Sequence, residues 1–249
     1  MFERKTINFP WEGKIEPFKI IGNVYFIGTF QSSVHLIDTG DGLIVIDTGY
    51  ENAFYLVIDS IYKLGFNPKD VKYIINTHWH WDHVEGTAAL KDLSGAKTLI
   101  GKEDEENAKK YFIPDILISD GDKLSLGNTQ IEFMETPGHT KGTISLFFNV
   151  TENGKTYRVG TFGGAGCNTL VKGAFDFDGC REAYINSINR LMKEKVDVFI
   201  GNHTWNNDTF GKAKLLKTAK ENPFIDGALW HKFLSFCLNR LNDIIKENG

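Results

Sequence analysis

Six consecutive residues, His78-Trp79-His80-Trp81-Asp82-His83, place four side chains able to bind a metal in one short segment. They follow VKYIINT at 71–77, a continuous apolar run that predicts a strand buried on both faces. On extended chain, residues i and i+2 project to the same side, so His78 and His80 can reach one ion together. As the chain turns toward the helix predicted beyond, Asp82 and His83 point to a neighbouring spot. Two imidazoles plus one further ligand make a three-ligand zinc site with an open fourth position, and a carboxylate with imidazoles makes an adjoining one. A core reading fails here, because each buried polar group would need its own hydrogen-bond partner. The segment reads as metal chemistry.

The chain has seven histidines, and two more stand where a ligand would stand. His139 lies in Thr136-Pro137-Gly138-His139-Thr140, directly after the strand-like IEFMET. His203 lies in Gly201-Asn202-His203, directly after VDVFI. Placement at a strand exit thus recurs three times. His35, which alternates within a strand, and His231, on the last helix, read as packing residues.

The elements that must carry these side chains follow from periodicity. Residues 19–47 contain VYFIGTF, SVHLIDT and GLIVIDTG, with glycines at Thr39-Gly40-Asp41-Gly42 for a hairpin turn. Phe54, Val57, Ile58, Ile61 and Leu64 keep helical spacing, and Gly65 sits where a helix would stop. A helix over 87–93 and a short strand KTLIG come next. The stretch KEDEENAKK at 102–110 offers Glu105–Lys109 and Glu106–Lys110 pairs and predicts a solvated helix. Strands IEFMET, TISLFFNV and KTYRVGTF follow, the last two joined by Asn153-Gly154. A helix over about 181–195 leads to the buried strand VDVFI. The C-terminal helix places Leu229, Phe233, Phe236, Leu241 and Ile244 on a predicted packing stripe. Sheet-rich and helical stretches alternate in each half, which predicts an α/β fold of two face-to-face sheets with helices outside.

Composition narrows the function. A chain of 249 residues suits one large domain or two small ones, and no linker or low-complexity segment divides it. Net charge is −4 with no basic stripe, so no nucleic-acid partner is expected. No run of about 20 apolar residues exists, so no membrane span is expected. The opening residues MFERKTINFPWEGKIEPFKI hold no apolar core of a signal peptide. That predicts a cytoplasmic protein as written, or a periplasmic or secreted one if a leader has been removed. The three cysteines, Cys167, Cys180 and Cys237, lack metal-type spacing and are expected as reduced thiols.

These motifs resemble the metallo-β-lactamase superfamily. HWHWDH matches its HxHxDH pattern, TPGHT its second motif, and GNH its last histidine. GNVYFIGT, GLIVIDTG, the approach FIPDILISDGDKLSLG and the late ENPFID look most like the third subclass of zinc β-lactamases. The resemblance implies a four-layer αββα sandwich, two packed mixed sheets with helices on the outer faces, as a single domain over 1–249. It also implies two zinc ions per chain. His78, His80 and His139 would hold the first, and Asp82, His83 and His203 the second, with Asp82, His80 and His139 central to catalysis. Hydroxide on the metals would attack a carbonyl, and Asp82 would help orient it. Asp47, in IDTG, either supports a ligand from behind or stabilises its turn. Trp81, Tyr111 and Phe112 either wall the substrate pocket or pack in the core.

Two departures from the family pattern bear on substrate. Thioesterase and lactonase relatives carry a metal-bridging Asp after a strand between TPGHT and the last histidine. Here Tyr157–Gly164 contains no acid, which favours the lactamase-like arrangement. Family lactamases often present serines after this strand to grip a substrate carboxylate, whereas Gly163-Gly164-Ala165-Gly166-Cys167-Asn168 offers none. Cys167 and Asn168 lie where relatives contact substrate. The expectation is a zinc hydrolase of a small molecule, with a β-lactam as first choice and a weak hold on its carboxylate. A cytoplasmic lactone or thioester hydrolase with incidental lactamase activity is the alternative. Nothing in the sequence sets the oligomeric state.

Overall fold

Strand pairing in the computed structural model, which describes residues 6–248, produces two mixed sheets. The first has seven strands in sequential order: β1 (Phe18–Ile21), β2 (Val24–Phe26), β3 (His35–Asp38), β4 (Leu43–Ile46), β5 (Val71–Ile75), β6 (Lys97–Gly101) and β7 (Ile116–Ile118). Its first four strands pair antiparallel through short turns, and β4 to β7 pair parallel. Parallel neighbours need crossovers. Helix α1 (Phe54–Lys63) supplies the one from β4 to β5, and α2 (Trp81–Val84) with α3 (Thr87–Ser94) the one from β5 to β6. The second sheet is ordered β12-β11-β10-β9-β8, from β8 (Lys123–Leu126), β9 (Thr129–Glu135), β10 (Ile144–Glu152), β11 (Lys155–Thr161) and β12 (Val198–Phe199).

The two-residue period of a strand divides the apolar residues between layers. In β4, Ile44 and Ile46 face the core between the sheets, while Leu43 and Val45 meet Val57 and Ile61 of α1 outside. In β10, Leu146, Phe148 and Val150 enter the inter-sheet core, and Phe147 faces outward. There it joins α5 (Cys180–Leu191) and, beyond α6 (Thr209–Leu215), α7 (Leu229–Asn248), with Trp230 fully buried in the cluster. The layers are therefore helix, sheet, sheet, helix, as expected. Among the described residues, no helix is long and apolar enough to cross a membrane. All three cysteines are free.

Two local expectations are corrected, and two strands went unforeseen. Residues 102–110 do not form a long solvated helix: Lys102–Asp104 is a 3-10 turn and α4 (Glu105–Ala108) a single turn. Lys109 pairs with Glu105 at 3.0 Å, but Lys110 lies over the Trp79 ring, and Asp104 is buried because its oxygens are used inside. Strands β7 and β8, only three and four residues long, carry too little periodicity to stand out. On α7, Phe233, Leu241 and Ile244 are buried, but Phe236 is 63% exposed, so it lies off the packing stripe.

His35 is buried in β3 with its ring edge-on to Phe26, and burial drives its pKa down to about 3. The unfolded chain therefore takes up a proton near pH 6.5 that the folded chain refuses. This contribution to stability is complete above pH 6.5 and is lost as pH falls toward 3, by on the order of 4 kcal/mol. Urea titrations of wild type and His35→Leu across that range should show a shallower acid-side loss in the variant. Parallel pH profiles would contradict the assignment.

Candidate metal centre

The six candidate ligands follow strands of both sheets. His78 follows β5 by three residues, His80 immediately precedes α2, and Asp82 and His83 lie within that one-turn helix. His139 comes from the loop between β9 and β10, and His203 from the segment after β12. Two groups result: His78, His80 and His139, and Asp82, His83 and His203, each offering ligand atoms within 4.8 Å of one another. The groups adjoin, with the His78 and His83 rings 4.2 Å apart between centroids.

Four of the five imidazoles are turned by a partner on the far nitrogen. The Nδ1 of His139 donates to the Gly166 carbonyl at 2.8 Å, and that of His203 to the Gln31 carbonyl at 2.6 Å. The Nδ1 of His83 meets Asp47 Oδ2 at 2.8 Å, and that of His78 meets Thr77 Oγ1 at 3.1 Å. A carbonyl can only accept, so in His139 and His203 the proton is on Nδ1 and the Nε2 lone pair faces inward. His80 differs, bringing its Nδ1 to 2.9 Å from His139 Nε2. The buried Nε2 atoms of His78 and His83 have no hydrogen-bond partner, although Asp82 Oδ2 approaches the latter to 3.4 Å. Orphaned buried nitrogens cost roughly 1–3 kcal/mol each, and a cation is the partner that suits converging lone pairs. The donor set fits a divalent metal.

Electrostatics keep most of these rings neutral. Burial, then repulsion from neighbouring imidazoles, holds His78 and His139 well below the usual histidine pKa. Burial likewise lowers His80 to about 4 and depresses His203. For His83 burial acts downward too, but Asp82 and Asp47 outweigh it and raise the ring. Asp82 is disfavoured as an anion by burial, yet His83, His203 and His80 together hold it below the ordinary carboxylate range.

Asp47 sits at the end of β4 with φ of +59°, a left-handed conformation that aspartate tolerates better than most residues. Both oxygens are engaged: Thr77 N–H donates to Oδ1 at 2.7 Å, and Thr77 Oγ1–H and the His83 ring share Oδ2. Turn and ligand support are therefore combined in one carboxylate. Next to it, Thr48 N–H donates to the His83 carbonyl at 2.8 Å, tying α2 to the exit of β4.

Asp104, which the sequence placed on a solvated face, joins the two ligand loops. It accepts from Trp79 N–H, Thr140 Oγ1–H and Gly142 N–H at 3.1, 2.7 and 2.7 Å. Burial pushes its carboxyl up to about 7 while those three donors pull it down. Glycines matter on the opposite wall: a Cβ at Gly163 would meet the Ile144 carbonyl at 1.9 Å, and one at Gly164 the His139 Cβ at 2.8 Å. The loop lies too close to the ligand strand for side chains at those two positions.

The other pocket residues separate. Cys167 and Asn168 line a cavity with His203. Trp81 is 43% exposed and edge-on to Tyr50. Phe112 is buried with Val84, Ile100 and Ala108, and Tyr111 packs on that cluster, the core alternative of the two. Trp205 escaped the sequence reading, yet its ring stacks on His203 at 4.5 Å and 7°. Its position two residues beyond the last histidine was the only signal.

The sequence profile of the metallo-beta-lactamase superfamily matches residues 27–203. A subclass B3 metallo-beta-lactamase of Bradyrhizobium japonicum superposes with a TM-score of 0.89 at 28% identity, covering 96% of each chain. The native metallo-beta-lactamase from Legionella gormanii also gives 0.89, at 29% identity over 95% of this chain and 97% of its own. Among curated proteins, a hydroxyacylglutathione hydrolase of Pelagibacter ubique is 32% identical over 143 residues, 56% of this chain and 55% of its own. An N-acyl homoserine lactonase of a Bacillus species is 26% identical over 201 residues, 67% of this chain and 79% of its own. The chain spans about half the length of the hydroxyacylglutathione hydrolases it matches.

Removing the Asp47 carboxylate releases His83 and Thr77 together. Asp47→Ala should lower metal affinity roughly 10- to 100-fold, as loss of outer hydrogen bonds to ligands does. Competition with a chromophoric chelator measures it, and an affinity equal to wild type would contradict the role given to Asp47.

Proposed function

The chain belongs to the metallo-beta-lactamase superfamily, and from that premise we propose that it is a zinc hydrolase that opens a cyclic amide, best a β-lactam. In this reading the described residues act within one domain over 1–249 on a small-molecule substrate. His78, His80 and His139 would hold one zinc, and Asp82, His83 and His203 a second. The observation that carries it is the pair of three-donor groups with buried, unpartnered Nε2 atoms. What bound zinc would supply is Lewis acidity, which polarises a carbonyl and makes water nucleophilic near neutral pH.

The protein's part is orientation. Gly166 and Gln31 carbonyls fix the tautomers of His139 and His203, Asp47 turns His83, and Asp104 keeps the His80 and His139 loops in register. Asp82 is the one carboxylate among the six, held anionic by its imidazole neighbours. In this reading it orients the attacking water. Trp205, stacked on His203, gives the substrate an apolar wall at that ligand.

A β-lactam is favoured over other acyl compounds because the glycine-lined exit of β11 carries no carboxylate and has no room for one at Gly163 or Gly164. The whole-chain likeness to subclass B3 enzymes supports the same choice. A lactone or thioester hydrolase is the second reading, favoured by the names of the partial relatives.

The purified chain should carry about two zinc ions. It should hydrolyse at least one penicillin, cephalosporin or carbapenem, lose that activity to a chelator, and regain it with zinc. Efficient cleavage of a lactone or thioester by the zinc-replete protein, with no β-lactam turnover, would replace the first reading with the second. At most one tightly held ion by elemental analysis would remove the second group.

A further inference from the structure

Gly163–Asn168 lacks hydroxyl side chains, so an anionic substrate must find its counter-charge elsewhere. A cavity of about 870 Å3 lies between this loop and α7, and His203 lies on its wall. The loop side includes Gly166, whose carbonyl orients His139. The helix side presents Phe233, Phe236, Cys237, Arg240, Ile244 and Glu247. These recur every three or four residues and so form one stripe of α7, about 21 Å long at the helical rise. The stripe starts on the Phe199 ring, close to the segment that carries His203.

Two features of this wall are unexplained by folding. Phe236 is a large aromatic left 63% exposed on it. Among the described residues, Arg240 is the only Lys or Arg lining the cavity, and it makes no hydrogen bond or ion pair with them. Its guanidinium acts electrostatically on the Cys167 thiol of the facing loop. Glu247 lies seven residues further along the helix and does not neutralise it.

We propose that Arg240 recognises an anionic group of the substrate, so that the cavity takes an amphiphilic acyl compound bearing a carboxylate apart from the bond that is cleaved. The apolar body lies on Phe233, Phe236 and Trp205, and the carboxylate meets the guanidinium fork, whose geometry matches it in bidentate fashion. This rests on the hydrolase reading above and adds the grip that the loop lacks. Arg240 is exposed, so the gain is about two- to fivefold rather than that of a buried pair.

Isothermal titration of the full chain with 6-phenylhexanoate and 6-phenylhexanamide tests it, since the probes differ only in charge and neither is hydrolysed at a β-lactam. Titrations run on zinc-replete and chelated protein. Wild type should bind the carboxylate about two- to fivefold tighter than the amide in both states. Arg240→Gln should abolish that preference without changing amide affinity, Arg240→Lys should keep part of it, and Phe236→Ser should weaken both probes equally. The proposal is overturned if neither probe binds, if Arg240→Gln keeps the preference, or if the preference vanishes on chelation, which would assign the carboxylate to the metal. Failure of the hydrolase reading would appear separately, as absent turnover with the preference intact.

Discussion

A single buried carboxylate organises the site. Asp47 ends β4 in a left-handed conformation and accepts hydrogen bonds from Thr77 and His83. It thereby couples the exit of one strand to the exit of the next and to α2. Without it, His83 has no reason to face His78 and His203, and Thr77 has no reason to turn the chain toward His78. The arrangement is costly, because it leaves imidazole nitrogens buried and converging with no hydrogen-bonding partner. Such a cost of roughly 1–3 kcal/mol per group is sustained only by a surrounding core that over-determines the geometry.

That core is the layer between the sheets. His78, His80, Asp82 and His83 hang from the first sheet, while His139 and His203 hang from the second. Neither donor group can be assembled by one sheet alone. Ile44, Ile46, Ile75, Ile144, Leu146 and Phe148 hold the sheets together, so the same residues that stabilise the fold set the distance between ligands. Asp104 performs the last adjustment, tying Trp79 on one ligand loop to Thr140 and Gly142 on the other.

The sequence was most informative where geometry is local. His78 and His80 are two apart at a strand exit, and that spacing needs no tertiary knowledge. His139 and His203 were legible as repeats of the same placement, although their assignment to particular groups rested on family resemblance. The layer order followed from periodicity, while β7 and β8 were too short to show any. What escaped depends on long-range contact: the Gln31 carbonyl 172 residues from His203, and the partners of Asp104 25 to 38 residues away. Glu105–Lys109 looked like a solvent face and is one, yet Asp104 beside it is buried, because a one-turn helix has no continuous outer stripe. Phe236 kept helical spacing with the packing residues but faces the cavity wall instead.

The central claim is that two adjoining donor groups each bind zinc. Crystals grown with zinc and measured on both sides of the zinc absorption edge test it directly. The account predicts two anomalous peaks per chain, one enclosed by His78, His80 and His139 and one by Asp82, His83 and His203. A single peak, or peaks ligated by other side chains, would contradict it.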